Sequence, residues 1–359
     1  MEGNRPQRYW LMARAFAKAG HEVVLWTSDF SHATKAKRRI VREAGEAFEV
    51  RLVPTLPYPK NICLRRIVSH RRLAATWHAM ARREARRPDV VIASTPPLGL
   101  CDAARRFAEE AGALFIADIM DAWPETFERL LPRWFLSPLR RTARRIYCSA
   151  DAISAVSRRY IALASSYGAA PPMNCCNHGI EMAGKPSSAR AGGLSLVYAG
   201  SFGMSYDLET LIRAVLAMPE ATLDIAGGGP KEAALRTLAS GCPRIRFHGY
   251  LGEEDLRALL AASSIGIVPM FPDSCVGIPY KLADYAAAGL KVVESLGGEA
   301  GEVVAKFNAG CHYAAGDVEA LRKAIAAASS LPPPVGGFAE FFDAEKIFSG
   351  YVKWVEGLR

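Results

Sequence analysis

Short runs of apolar residues alternate along the chain with stretches in which apolar residues recur at helical spacing. In the first half, this pattern predicts a helix over residues 6–19 and a long helix over residues 67–87. Strands that alternate with helices in this way form parallel sheets covered by helices. The predicted strands of the first half are residues 21–28, 50–54, 89–94, 113–118 and 152–156.

The same pattern starts again after residues 183–193, which are rich in Gly, Ser and Ala and predict a linker. A chain of 359 residues is too long for one ordinary core. We therefore predict an N-terminal domain over residues 1–185, a C-terminal domain over residues 186–335, and a helical tail over residues 336–359 that packs back on the N-terminal domain. The predicted strands of the second half are residues 194–199, 222–226, 245–247, 265–268 and 291–295.

Composition is typical of a cytosolic protein without a metal. No apolar run approaches the roughly 20 residues of a membrane-spanning helix. The eight cysteines show no Cys-x-x-Cys spacing, which favours reduced thiols over a disulfide framework or a zinc site. The seven histidines form no ligand cluster in the sequence, so we expect no metal and no other cofactor.

The net charge of +9 is unevenly distributed along the chain. Residues 1–185 contain 30 Lys and Arg against 17 Asp and Glu, whereas the remainder contains 15 against 19. Only the first half is therefore expected to face an anionic partner.

Two segments of the first half mix basic and large apolar residues. Residues 65–87 combine a series of arginines with Ile67 and Trp77, and residues 130–141 contain Trp134 and Phe135 in sequence. Basic side chains near an anionic leaflet contribute about 1 kcal/mol each, and apolar side chains add to this binding. We predict peripheral contact with the inner face of the cell membrane. A solvated helix face is the alternative, and nucleic acid is not expected because no nucleic-acid motif accompanies the charge.

Residues 277–289 predict a phosphate-binding helix start. A Gly-Ile-Pro turn leads into a helix predicted over residues 281–288, and Gly289 closes it before a buried strand. The N-terminus of a helix has free amides that bind phosphate, and Lys281 adds a cation in the first turn. Asp284 follows three residues later on the same face, where a carboxylate can accept hydrogen bonds from a ribose. An exposed ion pair between Lys281 and Asp284 is the alternative interpretation.

Further motifs occur in order along the chain. In the second half they are residues 197–203, 207–214, 223–230, 245–250 and 277–295, and in the first half residues 8–28, 118–124, 153–157 and 177–181. Their order and spacing resemble the glycosyltransferase family 4 type of GT-B enzyme. Within that family the chain is most similar to the branch that builds bacterial surface polysaccharides on lipid carriers.

This resemblance implies an α/β fold of two Rossmann-like domains that face each other across a cleft. It implies that the C-terminal domain binds a nucleoside diphosphate sugar, the donor substrate, and that the N-terminal domain binds the acceptor. The donor-binding residues that it implies are Gly200, Ser201, Gly203, Gly227, Gly228, Gly249, Tyr250, Gly277, Ile278, Pro279, Lys281 and Asp284.

The resemblance also implies catalytic roles for three residues. Lys281 and Arg5 would hold the departing diphosphate, and Asp121 would position the acceptor or handle a proton. From the residues alone, Asp121 could equally cap a helix. The turn at Gly227 could equally be a plain tight turn, and His178 is more often a structural residue.

The chain departs from the family at its donor site. The two glutamates that the family often carries, seven residues apart, correspond here to Val276 and Asp284. The Arg and Lys that many members place after the first strand of the second domain fall by spacing on Ser201 and Asp207. We therefore expect Lys281, Arg5 and backbone amides to hold the diphosphate.

A second departure concerns the first strand. The family begins with a buried strand, a Gly-rich loop and a helix, whereas here the loop at residues 3–5 and the helix have no strand before them. That strand is central in the doubly wound order, and its loss leaves neighbours with unpaired backbone groups and a gap in the core. We expect an N-terminal domain without its first strand, in a chain that starts about ten residues late.

The function expected from all of this is retaining transfer of a sugar from a nucleoside diphosphate sugar to a lipid-linked saccharide, in cell-surface polysaccharide synthesis. Three alternatives stay open. They are a sugar-nucleotide epimerase of the same fold, a catalytically impaired sugar-nucleotide-binding module, and a basic nucleic-acid-binding protein.

Overall fold

The computed structural model describes residues 8–32, 35–38, 47–60, 63–128, 131–182, 193–334 and 337–359. The chain forms two compact units. The N-terminal unit consists of Met1–Asn177 and Ile347–Arg359, and the C-terminal unit is His178–Lys346. The predicted boundaries were residues 185 and 335. Residues 178–182, predicted in the N-terminal domain, and residues 337–346, predicted in the helical tail, belong instead to the C-terminal unit. Residues 183–192 of the predicted linker lie outside the described residues.

The C-terminal unit contains one parallel sheet of six strands in the order β12-β11-β10-β7-β8-β9. Its central strand β7 buries Leu196, Val197 and Tyr198 completely, because both edges are paired and helices cover both faces. The strands are β7 Leu194–Ser201, β8 Ala221–Gly228, β9 Ile245–Gly249, β10 Ile265–Val268, β11 Lys291–Glu294 and β12 Gly310–His312. The helices are α6 Leu208–Leu216, α7 Glu232–Leu238, α8 Glu253–Ala262, α9 Tyr280–Ala287, α10 Gly298–Lys306, α11 Val318–Ser330 and α12 Gly337–Glu340.

The N-terminal unit contains two separate parallel sheets among the described residues. One has the order β1-β2 and the other β3-β4-β5-β6. The strands are β1 Val24–Ser28, β2 Glu49–Val53, β3 Val90–Thr95, β4 Leu114–Ile119, β5 Ala152–Ala155 and β6 Met173–Cys175. The helices are α1 Arg8–Lys18, α2 Leu64–Ala81, α3 Leu98–Ala111, α4 Ser137–Cys148 and α5 Arg158–Ser166, with α13 Ala344–Glu356 at the end of the chain.

All the predicted strands and helices form, with ends shifted by a few residues. The α/β class is therefore confirmed. The sequence did not lead us to predict helices α3, α4 and α5 of the N-terminal unit, which have 14, 12 and 9 residues, nor several shorter elements. Strands β6 and β12 have three residues each, which is too short for a periodicity. Helix α10 begins with Gly298 and contains Gly301, and glycine in a helix gives no helical signal. None of the described helices is both long and apolar enough to cross a bilayer.

A buried ion pair ties the first helix of the N-terminal unit to its larger sheet. The guanidinium of Arg8 in α1 makes two hydrogen bonds of 3.0 Å to the carboxylate of Asp118 in β4. Arg8 also donates to the carbonyl oxygens of Cys176 and Asn177, at 2.8 and 2.9 Å. The hydroxyls of Tyr9 and Ser154 donate to the same carboxylate, each at 2.6 Å. These bonds fix the orientation of α1 on the sheet.

The C-terminal segment joins this network. The hydroxyl of Tyr351 in α13 lies 3.1 Å from that of Ser154, and the guanidinium of Arg8 lies 5.7 Å from the ring centre of Phe348. Residues 347–359 therefore pack within the N-terminal unit through side chains of α13.

Candidate functional site

Glycines bring the carboxyl ends of two neighbouring strands of the C-terminal unit unusually close together. Gly200 at the end of β7 is paired with Gly227 at the end of β8. A Cβ atom on Gly227 would lie 1.9 Å from the carbonyl oxygen of Gly200, and its φ of +123° is one that other residues rarely adopt. The sequence permits this approach because neither residue has a side chain. Ligands of open α/β sheets bind at this carboxyl edge.

A second close contact extends the same edge toward β9. A Cβ atom on Gly228 would lie 2.9 Å from the ring of Tyr250. Tyr250 follows Gly249, whose φ is +68°, and its side chain is 83% exposed. An exposed aromatic ring at the sheet edge is a surface on which a base can stack.

Helix α9 places Lys281 at this edge. The helix follows Pro279 and ends before Gly289, whose φ is +65°, as the sequence predicts. The ammonium of Lys281 lies 3.9 Å from the ring centre of Tyr206, 4.6 Å from that of Tyr198, and 3.4 Å from the hydroxyl of Tyr198. A Cβ atom on Gly200 would lie 3.2 Å from the same ammonium. Lys281 and the glycine edge therefore form one site.

The electrostatic state of Lys281 is unusual for a lysine. The residue is 6% exposed, and no carboxylate of the described residues lies within 4 Å of its ammonium. Burial lowers its pKa to about 7, although Asp284 acts in the opposite direction. Asp284 is itself 9% exposed, so the alternative of an exposed ion pair between the two residues is wrong. The site holds a cation whose charge is poorly compensated by protein.

The other predicted donor-site residues divide into two groups. Ser201 is the last residue of β7 and Gly203 lies in the loop that follows; Ser201 is exposed, and its Oγ lies 3.5 Å from a Cβ position on Gly203. Ile278, in contrast, is 2% exposed and packs in the core with Leu282. Its side chain therefore supports α9 and is not available to a ligand. Gly277 and Pro279 are also buried.

Asp207 has a structural role. Its carboxylate accepts hydrogen bonds from the backbone amide of Thr210, at 3.3 Å, and from that of Gly316, at 2.7 Å. It is the N-cap of α6, which satisfies an amide that the helix leaves unpaired. The position at which many relatives are expected to place a cation is therefore occupied here by a capping residue.

Three tyrosines of the site were missed in the sequence. Tyr198 and Tyr206 surround the ammonium of Lys281, and the hydroxyl of Tyr285 accepts a hydrogen bond from the amide of Ala199 at 3.1 Å. Their apolar neighbours make them resemble ordinary core residues. The one available signal was the position of Tyr198 just before the Gly-Ser turn that ends β7.

A buried carboxylate near α10, that of Glu294, was also missed. The carboxylate of Glu294 is 1% exposed and accepts hydrogen bonds from the amide of Gly297 and from Nδ1 of His312, each at 2.8 Å. Glu294 ends β11, and the amide of Gly297 precedes the first turn of α10. These contacts hold the start of α10 beside the sheet edge.

Of the two predicted catalytic residues in the first half of the chain, the structure describes only Asp121. Arg5 lies outside the described residues. Asp121 accepts hydrogen bonds from the amide of Ala122, at 2.8 Å, and from the hydroxyl of Thr126, at 3.2 Å. Neither is the bond to a backbone amide two or three residues on that an N-cap side chain makes, and the short helix Glu125–Phe127 that follows has Pro124 at its N-cap position. Burial nevertheless raises the pKa of Asp121, even though its hydrogen bonds act in the opposite direction. His178 is buried against Tyr280, with 5.0 Å between ring centres.

No group of three or more His, Cys, Asp or Glu side chains that could hold a metal ion occurs among the residues that the structure describes. Among the described residues, Lys281 and the start of α9 contribute positive charge at the site.

Two family models match the chain, one for each half. Residues 7–175 match the glycosyl transferase 4-like domain, and residues 193–330 match the glycosyl transferases group 1 model. The two matches are consecutive and together include all the strands described above. No curated protein sequence matches the chain significantly.

Several solved structures are similar to the whole chain. The sucrose-phosphate synthase of Thermosynechococcus elongatus has a TM-score of 0.72 at 15% identity, over 98% of this chain and 89% of that one. Anabaena HepE in complex with UDP and glucose has a TM-score of 0.65 at 15% identity, over 87% of each chain. WaaG, a glycosyltransferase involved in lipopolysaccharide biosynthesis, has a TM-score of 0.62 at 14% identity, over 96% of this chain and 90% of that one. These likenesses confirm the predicted fold class of two Rossmann-like domains.

Proposed function

Because the chain is a glycosyltransferase of the GT-B type, we propose that it transfers a sugar from a nucleoside diphosphate sugar to a lipid-linked saccharide. The reaction would retain the anomeric configuration, as the resemblance to family 4 implies, and it would contribute to cell-surface polysaccharide. One observation carries the donor assignment. A buried ammonium, that of Lys281, lies beneath a glycine-lined sheet edge, and no carboxylate of the described residues lies within 4 Å of it.

A bound diphosphate would compensate the positive charge of Lys281. A buried cation without a partner is unfavourable, and a bound anion removes that cost. The amides at the start of α9 add partial positive charge beside Lys281. The same groups would stabilise the negative charge that develops on the diphosphate as the sugar leaves.

The glycine edge fits the rest of a nucleotide. The exposed ring of Tyr250 lies against Gly228, where a base can stack without displacing a side chain. We propose that Asp284, one turn along α9 from Lys281, accepts hydrogen bonds from the ribose. HepE, which is similar in fold, has been solved with UDP and with UDP-glucose. This likeness supports a nucleotide-sugar donor for the present chain.

The surface of the N-terminal unit supports a lipid-linked acceptor. Trp134 and Phe135 are 76% and 58% exposed, and Leu64 at the start of α2 is 81% exposed. Exposed arginines flank both places, among them Arg65 and Arg133. Large exposed apolar residues next to exposed basic residues favour binding to an anionic membrane surface. We propose that this surface, Leu64–Val68 with Leu131–Leu139, holds the enzyme at the inner face of the cell membrane, where a lipid-linked acceptor is found.

The donor assignment is tested with a panel of nucleoside diphosphate sugars. We expect at least one to raise the free energy of unfolding by about 2.7 kcal/mol at a hundredfold excess over its Kd. The corresponding nucleoside, which lacks the diphosphate, serves as the matched ligand and should stabilise far less. The measurement is thermal unfolding followed by transfer of the labelled sugar to lipid-linked saccharides.

The outcomes separate the alternatives. Conversion of the donor in the absence of any acceptor would indicate an epimerase. Stabilisation by a donor without turnover on any acceptor would indicate a binding module. If no member of the panel stabilises the protein, the donor assignment is wrong.

The membrane assignment is tested by vesicle binding. Replacing both Trp134 and Phe135 with Ser should weaken binding to vesicles with anionic lipid by roughly a hundredfold, because each buried aromatic side chain contributes about 1.5–3 kcal/mol. Leu216→Ser, which changes a partly exposed leucine of α6 in the other unit, is the matched control and should bind normally. Equal binding of the double variant and the control to anionic vesicles, measured by flotation, would remove this surface from the proposal.

A further inference from the structure

Nitrogen-bearing side chains collect around one buried tyrosine of the N-terminal unit. Tyr58, in the segment that follows β2, is 6% exposed. Two imidazoles, one ammonium and one guanidinium surround its ring, and they come from the segment after β1 and from α2. Their distances from the centre of that ring are 5.9 Å for the ring centre of His32, 5.0 Å for Nζ of Lys35, 5.8 Å for Cζ of Arg66 and 6.1 Å for the ring centre of His70. We call these five residues the Tyr58 cluster.

The Tyr58 cluster lies at a sheet edge that suits a ligand. Strands β1 and β2 are parallel, so their carboxyl ends are at the same edge, and His32, Lys35 and Tyr58 follow those ends. His32 is exposed, and the other three nitrogen-bearing residues of the cluster are partly exposed. The tyrosine therefore forms the floor of a site whose rim reaches solvent.

Aromatic rings hold the guanidinium of Arg66 on two sides. Its Cζ lies 5.8 Å from the ring centre of Tyr58 and 5.2 Å from that of Trp123. Its Nε donates a hydrogen bond of 3.4 Å to Nε2 of His70. Contacts with aromatic faces attract a guanidinium and restrict its orientation, and its planar fork matches the oxygen atoms of a phosphate. Arg66 is therefore a suitable ligand for a phosphate group at this edge.

The hydrogen bonds of the cluster determine which imidazole nitrogens carry hydrogen. Burial, followed by the charge of Arg66, lowers the pKa of His32 and that of His70 to about 4, so both rings are neutral near pH 7. Nδ1 of His32 lies 3.3 Å from the ammonium of Lys35, which can only donate, so Nε2 of His32 carries the hydrogen. Nε2 of His70 accepts from Arg66, so its Nδ1 carries the hydrogen. Each imidazole therefore contributes one N–H donor beside the two cations.

Charges of the same sign are close together in the Tyr58 cluster. The pKa of Lys35 is lowered, first by burial and then by the charge of Arg66, although Cys63 acts in the opposite direction. Arg66 also favours the ionised form of Asp121, but burial outweighs this effect and raises the pKa of that carboxyl. A bound phosphate dianion would reduce the repulsion between Lys35 and Arg66.

Helix α2 joins this cluster to exposed apolar side chains. Leu64, Ile67 and Val68 are 81%, 52% and 53% exposed, and their spacing places them on one face of the helix. Arg66 and His70, four residues apart, share another face and belong to the cluster. One short stretch of helix therefore presents both a surface for an apolar chain and a site for an anion.

We propose that the Tyr58 cluster binds the phosphate or diphosphate group of a lipid whose apolar chain lies against Leu64, Ile67 and Val68. Arg66 and Lys35 supply the positive charge, and the two imidazoles supply N–H donors. Its role in the reaction rests on the proposed function, because the bound group would be the phosphate link of the lipid-linked acceptor. Binding of that link would fix the position of the saccharide relative to the N-terminal unit.

Calorimetric titration with farnesyl diphosphate and with inorganic pyrophosphate tests the site. Both titrations use the Lys281→Met protein, because a diphosphate can also bind at Lys281. We expect farnesyl diphosphate to bind roughly tenfold more tightly than pyrophosphate, or better, because its chain adds apolar contact. Equal affinities would assign the cluster to a free phosphate and overturn the assignment to a lipid.

Arg66→Gln, added to the same protein, should weaken the binding of both probes by roughly tenfold or more, because charge-assisted hydrogen bonds to phosphate are lost. Arg65→Gln makes the same chemical change at the exposed neighbouring position of α2 and should bind normally. His70→Leu removes an N–H donor without a change in charge and should also weaken binding, which provides a second test if Arg66→Gln is unstable. Affinities of Arg66→Gln and His70→Leu that equal that of Arg65→Gln would overturn the proposal.

Sugar transfer by the protein with Lys281 intact tests the acceptor role. Arg66→Gln should raise KM for the lipid-linked acceptor by roughly tenfold and leave kcat and stabilisation by the donor unchanged. An unchanged KM would contradict the acceptor role. Failure of the proposed function would look different, because no nucleoside diphosphate sugar would stabilise the protein while farnesyl diphosphate would still bind at the cluster. In flotation with phosphatidylglycerol vesicles, Arg66→Gln and Arg65→Gln should bind alike, and a selective loss in Arg66→Gln would assign the cluster to membrane headgroups instead.

Discussion

Lys281→Met is expected to lower turnover by roughly a hundredfold to a thousandfold while leaving the protein at least as stable as before. Removal of one group that stabilises developing negative charge typically has an effect of this size on kcat. Methionine keeps the length and the apolar part of the side chain, so the packing against Tyr198 and Tyr206 is preserved. A buried ammonium without a nearby carboxylate destabilises the folded state, and its removal relieves that cost.

The matched control is Lys306→Met at the end of α10. Lys306 is exposed, and its ammonium contacts the rings of Phe307 and Phe341. It offers the same chemical change in the same unit, away from the glycine edge, and it should retain normal turnover. The assay is sugar transfer under saturating donor, accompanied by urea unfolding. Turnover of Lys281→Met within threefold of the unchanged protein would show that this cation does not hold the diphosphate.

The same variant can be tested through pH dependence, because a rise in pH should have opposite effects on the free energy of unfolding and on donor affinity. Burial lowers the pKa of Lys281 to about 7, whereas a lysine of the unfolded chain titrates near 10.4. Between these values the unfolded chain binds more protons, so the free energy of unfolding should rise with pH. Over the same range Lys281 loses its charge, so donor affinity should fall. Lys281→Met should show neither the rise in the free energy of unfolding nor the fall in donor affinity. Urea unfolding and titration with the donor, each at pH 6.5 and 8.5, measure the two quantities.

The sequence predicts this site as far as local pattern extends. The turn before α9, the lysine in its first turn and Gly289 at its end are all signals within thirteen residues, and the structure places them as expected. The burial of Lys281 could not be predicted, because its aromatic neighbours come from β7 and from the loop before α6. The full role of Asp207 could not be predicted for the same reason. One of the two backbone amides that donate to its carboxylate belongs to Gly316, which is distant in the sequence.

The fold shows the same limit. The strands with apolar runs and several of the helices were predicted, and β10 has its predicted bounds, residues 265–268. The contacts between distant segments were not predicted. The clearest case is the ion pair of Arg8 and Asp118, whose sequence separation is 110. A lone arginine at the start of a helix is ordinarily a surface residue. Only the packing of α1 on the larger sheet shows that it is buried.

The largest expected effect on stability belongs to that pair, and Asp118→Ala should lower the free energy of unfolding by about 3–5 kcal/mol. Asp118 is fully buried, and its loss leaves the guanidinium of Arg8 without its charge partner in a dry interior. The hydroxyls of Tyr9 and Ser154 lose an acceptor at the same time. Glu319→Ala, which removes an exposed partner of Arg322 on α11, is the control and should have a much smaller effect.

A double-mutant cycle separates the ion pair from the packing around it. Arg8→Met combined with Asp118→Ala leaves no unpaired charge, so the double variant should be less destabilised than the two single variants predict by addition. Burial alone would raise the pKa of Asp118, but Arg8 and the hydrogen bonds outweigh it and hold that pKa below its usual value. A lowered pKa contributes stability above about pH 4 that is lost as the pH falls below it. The difference in free energy of unfolding between the unchanged protein and Asp118→Ala, measured by urea unfolding, should therefore become smaller below pH 4. A difference that does not change with pH would contradict this expectation. Single effects that add up to the effect of the double variant would show that the two residues are not coupled.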